Sequence, residues 1–418
     1  MAVEMMAVGD SIYNGVRSAT ISAELAEWSV PAQVARAFGW AFVSPDYPRP
    51  VLEDFEAGLF RTPFEGAADL MERVTANARA WLNGQPWSDQ PLFHNLAIAQ
   101  QTVADISAAN SKASLQQAHD LMRNLSLAKL PQLYQAINTA FILDPRQSDP
   151  ENGRTAIGLL AEAKPKRLLV NIGINDGLWT LALMGNATDF RTAIDPTAAM
   201  AYLAGNLAQN CRDIEHVYVN LFPKPSALAN LMPRRDGVQP RDGYFDEPYL
   251  GRLIQAGGIT RDDMRAVDDY VREDLNHRIR NAWAPLGDRA HFVDLYAVTA
   301  AYDRKNGIDS REVRLVDGPS QILLDNFPLQ ALLIGGRQSG GLFGLDNLHP
   351  TIPGYGLIAQ AVCDCIAAVE GGSRPVIDLQ AAYAADDLLS NLPGTIALAD
   401  FGLSFIGAFL GQPAVPEV

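Results

Sequence analysis

Five short runs of nearly continuous apolar residues recur along the chain: VEMMAVG (3–9), PLFHNLAI (91–98), RLLVNIG (167–173), EHVYVNLF (215–222) and HFVDL (291–295). A strand wetted on one face alternates apolar with polar residues. Runs that do not alternate must be buried on both faces, which is the condition of a parallel sheet covered by helices on either side. The intervening segments carry helical periodicity. TPFEGAADLMERVTANARAWL follows the first run and PTAAMAYLAGNLAQNC the third, while ITRDDMRAVDDYVREDLNHRIRNAW follows the fourth behind a Thr260 cap with acids in its first turn. Strand and helix in alternation predict an α/β fold. No repeat and no internal boundary divides the 418 residues, so the expectation is one large domain over 1–390. The apolar, Pro-ended stretch 391–418 is expected to be an appended helix and tail.

One long irregular stretch, 223–259, is rich in Pro, Gly and charge and directly follows the fourth run. It should hang over the carboxyl end of that strand, where ligands bind in open α/β sheets. A solvated crossover loop and a substrate-facing flap are equally compatible with it.

Charge narrows the partners. Forty-eight acids against thirty-three bases leave a net charge of −15, and only six of the bases are lysine. Such a surface repels phosphate backbones, so no nucleic-acid partner is expected. Three cysteines, Cys211, Cys363 and Cys365, are too few for a disulfide scaffold or a four-thiolate zinc site and read as buried thiols; no metal site is expected. The apolar stretch TIALADFGLSFIGAFLG is interrupted by Asp400 and is too short for a stable membrane span. No secretory segment precedes the first run, so the protein is either cytosolic or has shed a signal peptide, and export is the expectation.

G-x-S-x-G, H-E-x-x-H, the phosphate-binding G-x-x-x-x-G-K-[ST] and G-x-G-x-x-G are all absent. What stands at the strand ends is a set of small polar motifs. The first run leads into Gly9-Asp10-Ser11, and a serine just past a buried strand presents its hydroxyl at the sheet edge, as a nucleophile requires. Taken alone, Asp10 or Ser11 reads as a helix cap. The third run leads into Gly173-Ile174-Asn175-Asp176, whose Asn175 amide can donate into the same crevice, although alone Asn175 or Asp176 reads as a cap for the next helix. Asp346-Asn347-Leu348-His349-Pro350 places a carboxylate three residues before a histidine on a proline-fixed turn, able to hold one ring nitrogen and leave the other as a base. The spacing recurs at Asp213/His216 and at Asp274/His277, the latter expected to be a solvated pair on a helix. His94 is expected to be a core histidine at a strand end.

In this order, GDS, G-x-N-D and D-x-x-H-P resemble the GDSL or SGNH hydrolase family over residues 3 to about 385. The resemblance implies a three-layer α/β/α sandwich with a five-stranded parallel sheet, flavodoxin-like, in agreement with the five runs. It implies Ser11 as nucleophile, His349 as its base and Asp346 as the group that orients the imidazole. It implies an oxyanion hole from Ser11, Gln100 and Asn175, with Asp10, Gly173 and Asp176 in support. The family's second block reads N-x-x-x-x-G-x-T; here Asn95 to Thr102 carries Gln100 in the glycine position, which keeps the backbone N–H and adds a side chain that trims the acyl pocket. The implied function is hydrolysis of carboxylic esters of small-molecule or lipid type, with no cofactor. Sugar O-deacetylation, acyl transfer and a non-catalytic carbohydrate- or lipid-binding role on this scaffold are the alternative readings.

Overall fold

The computed structural model describes residues 3–390, apart from 61–64, 236, 253–255, 319 and 333–335. The stretch 391–418, expected to form an apolar helix and tail, lies outside the described residues.

Four of the five apolar runs form the central sheet. Strands β1 (Met5–Gly9), β2 (Arg167–Asn171), β3 (His216–Asn220) and β4 (Ala290–Val293) pair in parallel in that spatial order. The register sets Gly9 opposite Asn171 and Asn220 opposite Val293. All of β1 and β2 is buried, which is why these runs do not alternate. Alternate residues serve opposite faces. Met6, Val8, Leu168, Val170, Val217 and Val219 meet one helical layer, which includes Phe141, Leu203 and Ile279. Met5, Ala7, Leu169, Tyr218 and Val293 meet the other, where Val30 and Val34 pack beside Tyr355, Ala359 and Cys363. The layers are therefore helix, sheet, helix.

The run 91–98 differs from expectation. It is not a full fifth strand; it touches the sheet through one parallel bridge, Ala7 to Asn95. Three backbone bonds nonetheless lay it along β1: Ala7 N–H to the His94 carbonyl (2.8 Å), Leu96 N–H to Ala7 (2.8 Å) and Ile98 N–H to Gly9 (2.9 Å). Side chains close its outer edge. Asn95 Oδ1 accepts the Ala97 N–H (3.2 Å) and His94 Nδ1 accepts the Val43 N–H (3.2 Å). His94 is thus a strand-end histidine, its pKa lowered by burial. Counting this segment outside β1 gives the chain order 2-1-3-4-5 of flavodoxin-like sheets.

Small antiparallel sheets are inserted beyond the carboxyl ends of β3 and β4, and local periodicity did not foretell them. The stretch expected to be irregular holds three short strands, Leu231–Pro233, Tyr249–Gly251 and Ala256–Ile259. A ribbon of Val313–Asp317 with Ser320–Leu324 and a second of Gln330–Leu332 with Gly336–Ser339 follow. The helix Ile352–Glu370 is, among the described residues, long and apolar enough to cross a membrane, but half of it is buried against the sheet layer. Its apolarity is that of a core helix.

The two ends of the described fold are tied by charge. Arg17, 2% exposed, bonds Glu56 Oε1 (2.9 Å), Asp386 Oδ1 (2.9 Å) and Asp387 Oδ1 (2.6 Å). Asp386 in turn accepts the Ile352 N–H (2.8 Å) at the start of the long helix.

Candidate active site

β1 must approach β2 closely at its end, because a Cβ on Gly9 would stand 2.3 Å from the Asn171 carbonyl oxygen. The chain then turns into the short helix Ser11–Asn14, which Asp10 caps by accepting the Ile12 N–H (3.1 Å) on Oδ1. The plain reading of Asp10 as a cap is therefore correct, and it leaves Ser11 at the first helical position. Asn171 Nδ2 donates to the same Asp10 oxygen (2.9 Å), and Asn220 Nδ2 donates to Asn171 Oδ1 (2.9 Å). Three neighbouring strand ends thus carry one row of hydrogen bonds that fixes the residue before Ser11. Burial pushes the Asp10 carboxyl up to about 7, against the opposing pull of the Ile12 amide, Asn171 and His349.

Asp346 lies fully buried on the turn before Pro350. Its Oδ1 accepts the N–H groups of Leu348 (3.0 Å) and His349 (2.9 Å), and its Oδ2 the N–H of Ala19 (3.1 Å). His349 Nδ1 lies 2.7 Å from Oδ2. Burial opposes the charge, yet the imidazole and the amides outweigh it and hold the carboxyl below its usual range. An ionised carboxylate only accepts, so Nδ1 carries the hydrogen and Nε2 is the basic nitrogen of neutral His349.

The Ala19 contact joins the serine and histidine segments. Residues 17–20 form a two-residue hairpin turn, with Arg17 and Thr20 exchanging backbone bonds (3.1 and 2.8 Å). Ser18 (φ 51°) and Ala19 (φ 60°) both occupy the left-handed region, where non-glycine residues are strained. Ser18 Oγ accepts the Leu345 N–H (3.0 Å) while Ala19 N–H holds Asp346, so the strained turn clamps the histidine loop.

Gln100 and Asn175 form a second pair of segments. Ile98 accepts the Gln101 N–H (3.3 Å) and Gln100 has φ 64°, so Ala99-Gln100 make a type II turn. That turn favours glycine at its second central position, which gives the glycine of the related pattern a backbone reason. Asn175 Nδ2 donates to the Gln101 carbonyl (2.8 Å), using one amide hydrogen and fixing the direction of the other. Asp176 does not cap its own helix; its Oδ2 accepts the Val103 N–H (3.1 Å) at the start of Val103–Ala108, and burial pushes it to about 6. Gly173 (φ 108°) has no room for a Cβ, which would meet Met200 Cε at 2.7 Å and the Phe222 ring at 3.0 Å.

The remaining D-x-x-H copies do other work. Asp213 pairs with Lys164 (3.2 Å), while His216 Nδ1 meets His291 Nε2 (3.0 Å). Asp274 takes Arg278 (3.1 Å) rather than His277, which corrects the expected helical pair. A further copy, Asp288 to His291, feeds the same histidine contact.

Over residues 5–362 the sequence matches the family model of GDSL-like lipases and acylhydrolases. The chain belongs to this family. Members carry esterase, lipase and acylhydrolase-type activity on small ester substrates, and the matched span includes Ser11, Gln100, Asn175, Asp346 and His349. No curated protein matches the chain. Among solved structures, a candidate GDSL-like lipase from Parabacteroides merdae ATCC 43184 aligns at 12% identity over 87% of this chain and 97% of that one. Its TM-score of 0.29 is too low for the superposition to bear on the fold.

Ser11, 8% exposed, opens onto an apolar cavity bounded by Leu178, Leu228, Leu295, Phe343, Leu348 and Ile358. Sequence reasoning missed Asn171 and Asn220, although each is a buried polar residue at the last position of its strand, and an asparagine near the end of each apolar run was a signal. It also missed Ser18 and Ala19, whose role comes from backbone shape rather than residue type.

Proposed function

We propose that the protein hydrolyses carboxylic esters through an acyl-enzyme on Ser11. The observation that carries this reading is the buried Asp346–His349 pair at 2.7 Å, held by the turn that follows the Ser11 helix. Ser11 Oγ attacks the ester carbonyl while His349 Nε2 takes its proton, and Asp346 stabilises the imidazolium that results. The imidazolium then protonates the departing alcohol. Water attacks the acyl-enzyme with the same histidine as base, and Ser11 is regenerated. The oxyanion is met by the N–H groups of Ser11 and Gln100 and by the second hydrogen of the Asn175 amide. Each such donor is worth about 3–4 kcal/mol in the transition state, a factor of roughly 10²–10³ in kcat.

The test is labelling by a fluorophosphonate together with turnover of p-nitrophenyl acetate. Folded Ser11→Ala should neither label nor turn over. His349→Ala should lose far more activity than His216→Ala or His277→Ala; equal losses in the three would reject His349 as the base.

A further inference from the structure

We propose that the apolar cavity beside Ser11 is the acyl site, built for a linear aliphatic chain of about ten carbons. This rests on Ser11 being the nucleophile. The wall takes its residues from the end of each strand in turn: Ser11 after β1, Ile174 after β2, Pro223 after β3, then Leu295 and Val298 after β4. The cavity therefore runs across the top of the sheet, perpendicular to the strands. Four strands give three spacings of about 4.8 Å, a length of about 14 Å. A zigzag chain of bonds near 1.5 Å advances about 1.3 Å per carbon, so the far wall stands about ten carbons from Ser11.

The chemistry of the wall favours an apolar occupant. Besides Ser11 and Tyr302, its polar side chains are Asn171, Thr299 and Asn326, whose polar groups are committed elsewhere. Asn171 Nδ2 serves Asp10 (2.9 Å), and Asn326 Nδ2 serves the Ala227 carbonyl and Asp303 (2.9 Å each). Thr299 Oγ1 donates to Leu295 (2.8 Å) and accepts from the Lys224 N–H (2.8 Å). A sugar or headgroup entering here would lose its water and gain few partners in return.

Geometry assigns the chain to the acyl half of the ester. The alcohol must leave, and water must enter where it left, before the acyl group departs. Gln100 does not line the cavity, so its side chain does not trim this site as expected from the sequence. A slot that begins at Ser11 suits the half that stays bonded to it.

The experiment measures kcat/KM for p-nitrophenyl esters from acetate to palmitate, beside alkyl acetates from ethyl to decyl. The expected result is a rise of up to about fourfold per methylene in the acyl series, peaking near decanoate and falling beyond dodecanoate, with no such rise in the alcohol series. Val298→Phe shortens the slot and should lower the decanoate-to-butyrate ratio at least tenfold. Val298→Ala deepens it and should raise the ratio of myristate to decanoate, so a fold lost in one variant leaves the other as a test. A protein that labels with fluorophosphonate but shows a flat acyl profile, or a chain-length preference in the alcohol series, overturns the acyl site alone. Absence of both labelling and ester turnover overturns the hydrolase reading itself.

Discussion

Replacing Asp10 by asparagine should reverse the order of stability between acid and mild alkali. Asp10 has no exposed surface, and burial lifts its carboxyl from 3.8 to about 7. A carboxyl raised on folding stabilises the fold fully below its unfolded value, and that contribution is lost as pH rises through the folded value. At about 1.4 kcal/mol per pH unit, the window from 3.8 to about 7 holds on the order of 4 kcal/mol. Asparagine keeps Oδ1, and with it the bonds from Ile12 and Asn171. It puts an NH2 where Oδ2 has no hydrogen-bond partner among the described residues, at a cost of about 1–3 kcal/mol at every pH. Asp10→Asn should therefore be less stable than the parent at pH 4 and more stable at pH 8, by roughly 1–3 kcal/mol each way. Urea unfolding at half-unit steps from pH 4 to 8 measures this directly. Parallel curves for the two proteins would refute the claim that a buried, titrating Asp10 sets this dependence.

Gln100→Gly should relieve a left-handed backbone worth about 1–2 kcal/mol, offset by about 0.5–1 kcal/mol from the freer unfolded chain; urea midpoints should show a net gain of at most about 1.5 kcal/mol, with kcat on acetate kept within about tenfold. Arg17→Met strands Glu56 and Asp386 as buried carboxylates and should cost about 3–5 kcal/mol in the same measurement. Asp346, held below its usual range, stabilises the fold above its unfolded value and loses that contribution as pH falls through the folded one. Asp346→Asn should accordingly flatten acid unfolding below about pH 4, and kcat should fall on the order of 10⁴-fold through the wrong tautomer; undiminished turnover would reject the orienting role.

The strands were legible because burial on both faces leaves short apolar runs, and their shortness and β-branched content set them apart from the longer apolar helices. The motifs around Ser11 and His349 stood out for local reasons, the first as a small polar turn directly after β1 and the second as a proline-fixed turn before the helix Ile352–Glu370. The segment 91–98 read as a strand because its composition is that of one; it follows β1 through three backbone bonds, while its other side meets Val43 rather than a further strand. What joins the motifs was hidden. Asn171 to Asp10, Asp176 to Val103 and Ala19 to Asp346 link positions 161, 73 and 327 residues apart. Periodicity reports which face a residue buries, and it carries no information on which distant group that residue meets. The positive φ of Ser18, Ala19 and Gln100 was equally hidden, because these residues are not ones that usually take it.

The bond between Ala19 and Asp346 also has a meaning in time. The serine segment leaves the ribosome first, together with the Ser18–Ala19 turn, and the Asp346–His349 loop that this turn clamps is made more than three hundred residues later. Until then that turn has no loop to clamp, although the four strands of the sheet are already made. Arg17 waits longer, since two of its carboxylates, at 386 and 387, are made later still. Under the proposed mechanism, a chain that stops before His349 carries Ser11 without its base, and one that stops before Asp386 leaves the buried Arg17 short of a partner.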